Sequence, residues 1–146
     1  MMEEIILYFA LKYAGDFDKI YQALERKEKV DDDLKEHLFK ELKSKYTTII
    51  SDDYPAALKE INCPPFVLFY YGDLNLVNTK CIGVIGMRQP SDYGIEVTKT
   101  IVSKLVLENY TIVSGMALGI DAMAHQSATN VLGKTIAVLG SGIDNC

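Results

Sequence analysis

Nowhere in the 146 residues is there an uninterrupted apolar run near the ~18 residues that a membrane-spanning helix needs. The opening Met1-Met2-Glu3-Glu4 also lacks the basic stretch and small-residue cleavage site of a secretory signal. A soluble, cytoplasmic protein with no membrane partner is expected. Cysteine is scarce as well: Cys63, Cys81 and Cys146 are odd in number and scattered, and only two histidines accompany them. Neither a disulfide framework nor a zinc site is expected from that set, and no cofactor is implied. The three thiols are expected to be small apolar fillers. Positive charge is in short supply, with 15 Lys and Arg against 20 Asp and Glu and a formal net charge of -5. That is the reverse of the basic footprint usual in nucleic-acid binders. What remains, 49% hydrophobic and 24% charged residues, suits an ordinary globular chain and excludes disorder and collagen-like fibre.

The acidity is unevenly spread. Residues 1–60 hold 10 basic and 14 acidic groups, while residues 61–146 hold 5 and 6. The front of the chain reads as three short helices. Residues 3–13 end at Gly15, suited to the left-handed position after a helix. Asp16 offers an N-cap for a second helix through about Arg26, with Phe17, Ile20, Tyr21 and Leu24 on one face. A third helix follows Asp31-Asp32-Asp33, with the stripe Leu34, His37, Leu38 and Leu42. Residues 1–50 are therefore expected to form a small helical, helix-hairpin-like module used for packing or protein contact. Cys63-Pro64-Pro65 enforces extended backbone, after which Phe66–Tyr71 reads as a strand closed by Gly72-Asp73.

From Lys80 the texture changes. Cys81-Ile-Gly-Val-Ile-Gly86, Thr111-Ile-Val-Ser-Gly115 and Thr135-Ile-Ala-Val-Leu-Gly140 are short apolar runs of the kind that become buried parallel strands. Helices are expected between them, the first with the stripe Ile95, Thr98, Ile101, Val102 and Leu105, the second over about Ile120–Thr129. The order β-α-β-α-β predicts an α/β fold over residues 51–146: a Rossmann-like, doubly wound parallel sheet, here incomplete, with right-handed connections.

The loops after such strands converge on one rim. Each strand here ends in glycine, which permits close backbone approach, and free N–H groups at helix N-termini favour an anion. Arg88, the one arginine of this region, can grip phosphate bidentately. Together with Ser114 and the glycines it predicts an anion-binding rim. Ala128–Thr135 matches a loose Walker A pattern, but the segment leaves a helix and opens a strand, the reverse of a phosphate loop, so ATP hydrolysis is not expected. Asp121 and His125, four residues apart, share a helix face. They are expected to support the site, Asp121 stabilising the start of its helix and His125 bonding nearby loop backbone, rather than to act as an acid–base pair. No Ser-His-Asp order, nucleophile elbow or paired catalytic carboxylates stand out.

Three blocks taken together carry a resemblance: Ile82-Gly-Val-Ile-Gly-Met-Arg88 with Pro90-Ser91-Asp-Tyr93-Gly94; Ile112-Val-Ser-Gly-Met-Ala-Leu-Gly-Ile-Asp121 with Ala124-His125; and Gly133-Lys-Thr-Ile-Ala-Val-Leu-Gly-Ser-Gly-Ile-Asp144. In order, spacing and wording they resemble the DNA-processing protein A (DprA, or Smf) family, strongly over about residues 50–144. The resemblance implies a non-enzymatic protein that binds single-stranded DNA without marked sequence preference and hands it to the recombinase RecA during natural transformation. By position it implies that Arg88 contacts DNA phosphate. It also implies that Gly86, Ser91, Ser114, Gly115, Met116, Ala117 and Gly119, with Gly140, Ser141 and Gly142, line the same nucleic-acid-binding pocket.

Met87 departs from the small Thr or Ser usual in the family. Family members also continue past Asn145-Cys146 with a Tyr-Pro motif, further strands, more basic contacts and a dimerisation surface, so a truncated member that self-associates as a homo-oligomer through uncovered sheet is expected. The rival readings are a Rossmann-like nucleotide or phosphosugar hydrolase, similar to phosphoribohydrolases, and a module that keeps the fold but has lost DNA binding.

Overall fold

The computed structural model describes residues 2–143, so Asp144, Asn145 and Cys146 lie outside the described residues. The chain divides into two compact units, Met1–Gly72 and Asp73–Cys146.

The first unit is organised around helix α1 (Met2–Lys12), in which Ile6, Leu7, Tyr8, Phe9 and Ala10 are buried consecutively. A helix apolar on every side belongs inside a core. Around α1 are grouped α2 (Phe17–Glu25), α3 (Asp32–Glu41) and an antiparallel ribbon of β1 (Lys45–Thr48) and β2 (Val67–Tyr70), paired from Lys45↔Tyr70 to Thr48↔Val67. The aspartate caps form as expected: Asp16 accepts from the Lys19 N–H at 3.1 Å and Asp31 from the Leu34 N–H at 3.1 Å. Gly15 takes the left-handed conformation at φ 77°.

Three details of this unit differ from the sequence expectation. The first compact unit extends to Gly72 rather than to residue 50, because Lys45–Thr48, placed inside the helical module, pairs with the strand beyond the prolines. His37 is exposed and faces Glu41 at 3.6 Å instead of joining the α3 stripe. On α2 the buried positions are Ile20 and Ala23, while Tyr21 is half-exposed and flanks Phe17, which stacks on Phe66 at 5.0 Å.

The second unit is the parallel sheet. Strands β3 (Cys81–Gly83), β4 (Thr111–Ser114) and β5 (Thr135–Ala137) lie in that order, joined by helices α5 (Asp92–Leu107) and α6 (Ile120–Asn130); a short α4 (Ala56–Lys59) belongs to the first unit. Gly83 pairs with Val113 and Val113 with Ile136. Both connections run the same way along the sheet, and right-handed crossovers then place both helices on one face. Accordingly α5 and α6 pack on each other, giving one half of a doubly wound arrangement. Ile112, Val102, Ala124 and Ala128 are fully buried between sheet and helices, with Ile82, Val84, Leu105 and Val106 around them. The small alanines let α6 approach closely. The end of α6 is closer still: a Cβ on Gly133 would lie 2.5 Å from a Val106 methyl.

Of the expected α5 stripe, Thr98 and Val102 are buried, whereas Ile101 is about half exposed. The thiols of Cys63 and Cys81 are exposed rather than filling a core. Cys63 lies in the bend between α4 and β2, and Cys81 opens β3 with its thiol against the Leu76 and Val77 carbonyls. Among the described residues no helix is long and apolar enough to cross a membrane.

Candidate functional site

All three strands of the second unit point their C-terminal ends at one rim. The segment 84–89 leaves β3, 115–119 leaves β4 and 138–142 leaves β5. Two close approaches join them. Gly119, at φ 85° and ψ -125°, caps α6 and lies so near the first loop that a Cβ there would be 2.2 Å from the Met87 carbonyl oxygen. The same carbonyl accepts the Ile120 N–H at 3.1 Å. Beside it, a Cβ on Gly86 would run into the Ile120 side chain at 2.7 Å. Glycine is required at both points by proximity, and at Gly119 by backbone conformation too.

Asp121 ties the rim together from beneath. Its side chain is buried; Oδ1 accepts the Gly86 N–H at 3.4 Å and Oδ2 the Gly115 N–H at 3.1 Å. One carboxylate thus bridges the loops after β3 and β4. Asp121 lies in the first turn of α6, as expected. One expectation is corrected: the amides of Gly86 and Gly115 are spent on an internal carboxylate instead of being presented to an external anion. The N-terminus of α6 is also largely used, since Ile120 donates to Met87 and Ala122 to the Ala117 carbonyl. A buried negative charge below the rim leaves less room for phosphate than three free glycine loops would.

The other expected site residues separate into buried ties and exposed groups. Ser114 is buried and its hydroxyl donates to the Val84 carbonyl at 2.7 Å, so it joins β4 to β3 instead of reaching outward. Ser91 is the N-cap of α5, accepting the Gly94 N–H at 3.2 Å. Ala117 is half-buried, whereas Met116, Gly140, Ser141 and Gly142 are exposed. Arg88 is exposed too, and its guanidinium makes no hydrogen bond or ion pair among the described residues. It is the free cation of the rim. Lys134, just before β5, stands at the opposite end of the sheet, which disposes of the Walker-like reading on geometry.

His125 was expected to bond loop backbone; its partner is a strand side chain. Nδ1 lies 2.6 Å from the Thr135 hydroxyl, which itself donates to the Ile112 carbonyl at 3.0 Å. The hydroxyl has one proton, so Nδ1 must carry the proton of the first bond. Nε2 is buried without a hydrogen-bond partner among the described residues. Burial pushes the His125 pKa below its ordinary value, outweighing the Asp121 carboxylate and the Ser114 backbone, which favour the charged ring. A group whose folded pKa is depressed toward the neutral form binds protons more readily when unfolded. Stability of the chain is therefore expected to fall as pH drops below about 6.5 and to be flat above it. Thermal melts between pH 5 and 8 check this, with His125→Gln expected to remove the slope; a wild-type profile flat across pH 6.5 contradicts it.

Sequence reasoning missed the Asp121 bridge, although a Gly-Ile-Asp run directly after a strand-ending loop was a signal for it. It also passed over the exposed apolar side chains beside Arg88. Among the described residues no group of three or more His, Cys, Asp or Glu could hold a metal ion.

The profile of the DNA recombination-mediator protein A family matches residues 45–146. The chain belongs to that family. It is 48% identical over 96 residues to Protein Smf of Synechocystis, an alignment covering 63% of this chain and 24% of that protein. The crystal structure of DNA processing protein A from Streptococcus pneumoniae superposes with a TM-score of 0.70 at 39% identity, over 87% of this chain and 41% of that one. DNA processing protein A from Helicobacter pylori, whose structure concerns its single-stranded DNA binding mode, superposes with a TM-score of 0.55 at 34% identity, over 66% and 43%. The chain thus spans between about a quarter and under half of these members of the DNA recombination-mediator protein A family.

Proposed function

We propose that this chain carries a phosphate-facing rim of a cytoplasmic single-stranded DNA-binding protein that acts in DNA uptake and transformation, binds without sequence preference, self-associates, and passes the strand to a RecA-type recombinase without catalysing a reaction. The observation that carries the reading is Arg88: an exposed guanidinium with no internal partner, at the end of the sheet where three loops converge. Family membership and the single-stranded DNA binding of the Helicobacter pylori relative support it. The site geometry weighs against the hydrolase reading. The Asp121 carboxylate is buried and bridges two amides, and His125 Nδ1 is committed to Thr135, so neither is placed to move a substrate proton.

The test is fluorescence anisotropy of a labelled oligo(dT) across a salt series. Binding is expected to weaken with salt at a slope of about -0.7 per neutralised phosphate, with competing oligomers of different sequence displacing it equally. Salt-independent binding, or turnover of mononucleotides above background, would overturn the proposal.

A further inference from the structure

Helix α5 has one long face without a partner. Tyr93 and Leu107, near its two ends, are 78% and 77% exposed, and Ile101 between them is 49% exposed. On the helical period Tyr93, Val97, Thr100, Ile101, Lys104 and Leu107 fall along one stripe with Glu96 at its margin, away from the buried Thr98 and Val102. Contiguous apolar surface of this kind marks an interaction site, where scattered exposed residues would not. Between Tyr93 and Ile101 the stripe is hollowed into a shallow groove of about 230 Å³, lined by those two residues with Glu96, Val97 and Thr100. The stripe also complements itself when read backwards from Thr100. Tyr93 and Leu107 stand seven residues to either side of it, and Glu96 and Lys104 stand four. Glu96 accepts from Lys99 at 2.9 Å, while the Lys104 ammonium makes no hydrogen bond or ion pair among the described residues.

We infer that a second copy of this chain docks on this face, with the two α5 helices antiparallel about a two-fold axis at Thr100. The inference rests on the self-association in the proposed function and names the surface that carries it. A two-fold contact uses the same patch on both copies, so the patch must complement itself. In the antiparallel pair each residue faces the one equally far beyond Thr100 on the other copy. Tyr93 then meets Leu107 of the second copy, which enters the groove, and the same contact recurs at the other end. Glu96 meets Lys104 of the second copy, giving two pairs of opposite charge. Thr100 is small and sits at the axis, where the helices approach most closely. A parallel pair would instead set Glu96 against Glu96 and Lys104 against Lys104. The open sheet competes poorly for a second copy, because β3 and β5 at its edges are three residues long each and short edges offer few backbone groups for pairing. One helix pair belongs at the small end of specific interfaces, below about 1,200 Å², so monomer and dimer exchange with concentration.

Sedimentation velocity over a concentration series of the 146-residue chain tests this, with the melting temperature of each variant as a control. The wild-type chain is expected to pass from monomer to dimer as concentration rises. Glu96→Lys and Lys104→Glu are each expected to weaken the dimer about tenfold, because each sets two pairs of like charge face to face. An equimolar mixture of those two variants is expected to dimerise as the wild type does, since every facing pair is again of opposite sign. Leu107→Ser, at an exposed position, is expected to abolish the dimer at an unchanged melting temperature. Self-association that none of the three variants alters belongs to another surface and overturns the inference alone. Weakening by both charge variants without rescue in their mixture overturns the antiparallel pairing, as does growth beyond a dimer. A chain that stays monomeric throughout overturns the inference together with the self-association, while DNA binding stands or falls separately by anisotropy.

Discussion

Replacing Gly119 with alanine is expected to cost about 3 kcal/mol or more of unfolding free energy, the largest effect of any single methyl group in the second unit. Two independent terms add. The backbone at φ 85° and ψ -125° is a glycine conformation, and forcing a side chain into it costs of order 1–3 kcal/mol. The added Cβ would also lie 2.2 Å from the Met87 carbonyl oxygen and 2.7 Å from the Arg88 carbonyl carbon, which are backbone atoms that cannot turn aside. Relief requires the β3 loop to move away, breaking the Ile120-to-Met87 hydrogen bond and loosening the Asp121 bridge to Gly86. Urea denaturation checks the figure, and a loss under about 1 kcal/mol would show that the two loops separate freely. Because the displaced segment carries Arg88, DNA affinity is expected to fall in the same variant even where it remains folded.

The second large effect is on binding. Arg88→Ala is expected to weaken oligo(dT) binding by roughly tenfold to a hundredfold and to reduce the magnitude of the log–log salt slope by nearly one contact. The reason is the poverty of alternatives: residues 61–146 hold 5 basic groups in all, and Lys134 stands at the far end of the sheet. A rim rich in lysine would share the loss among neighbours; this one has no such reserve. Arg88→Lys is expected to recover only part of the affinity, since an ammonium keeps the charge but not the bidentate fork. The guanidinium makes no hydrogen bond or ion pair among the described residues, so the melting temperature should not change. Unaltered affinity and slope in Arg88→Ala would remove Arg88 from the site.

Much of this architecture was legible in the sequence because it depends on local chemistry. Asp16 and Asp31 announced their helices, since a capping carboxylate needs only the N–H groups of the next turn. The three glycine-terminated apolar runs announced parallel strands, but the expected burial holds only for the central β4, because α5 and α6 cover one face and β3 and β5 lie at the edges of the sheet. The first unit was less legible. Lys45–Thr48 has the β-branched and aromatic residues of a strand, but they follow α3 with no turn signal between, and its role is set by pairing with Val67–Tyr70, about twenty residues away. The stripes of α2 and α5 were read too wide: Ile20, Thr98 and Val102 are buried as expected, while Tyr21 and Ile101 stand at their exposed margins.

The sequence by itself determined the order of the elements, their caps, the convergence of three loops at one end of the sheet, and the placing of Arg88 among them. Each follows from contacts within a few residues or from the handedness of β-α-β connections. Only the tertiary structure decided which polar groups at that rim face outward. Asp121, five places past the Met116 turn, receives amides from two different loops; Ser114 bonds inward to Val84; His125 is held by Thr135. Those partners are distant along the chain, and each buried polar group must find one to offset its lost hydration. What is left for a ligand, one arginine among exposed methionines and leucine, is the remainder after that internal satisfaction.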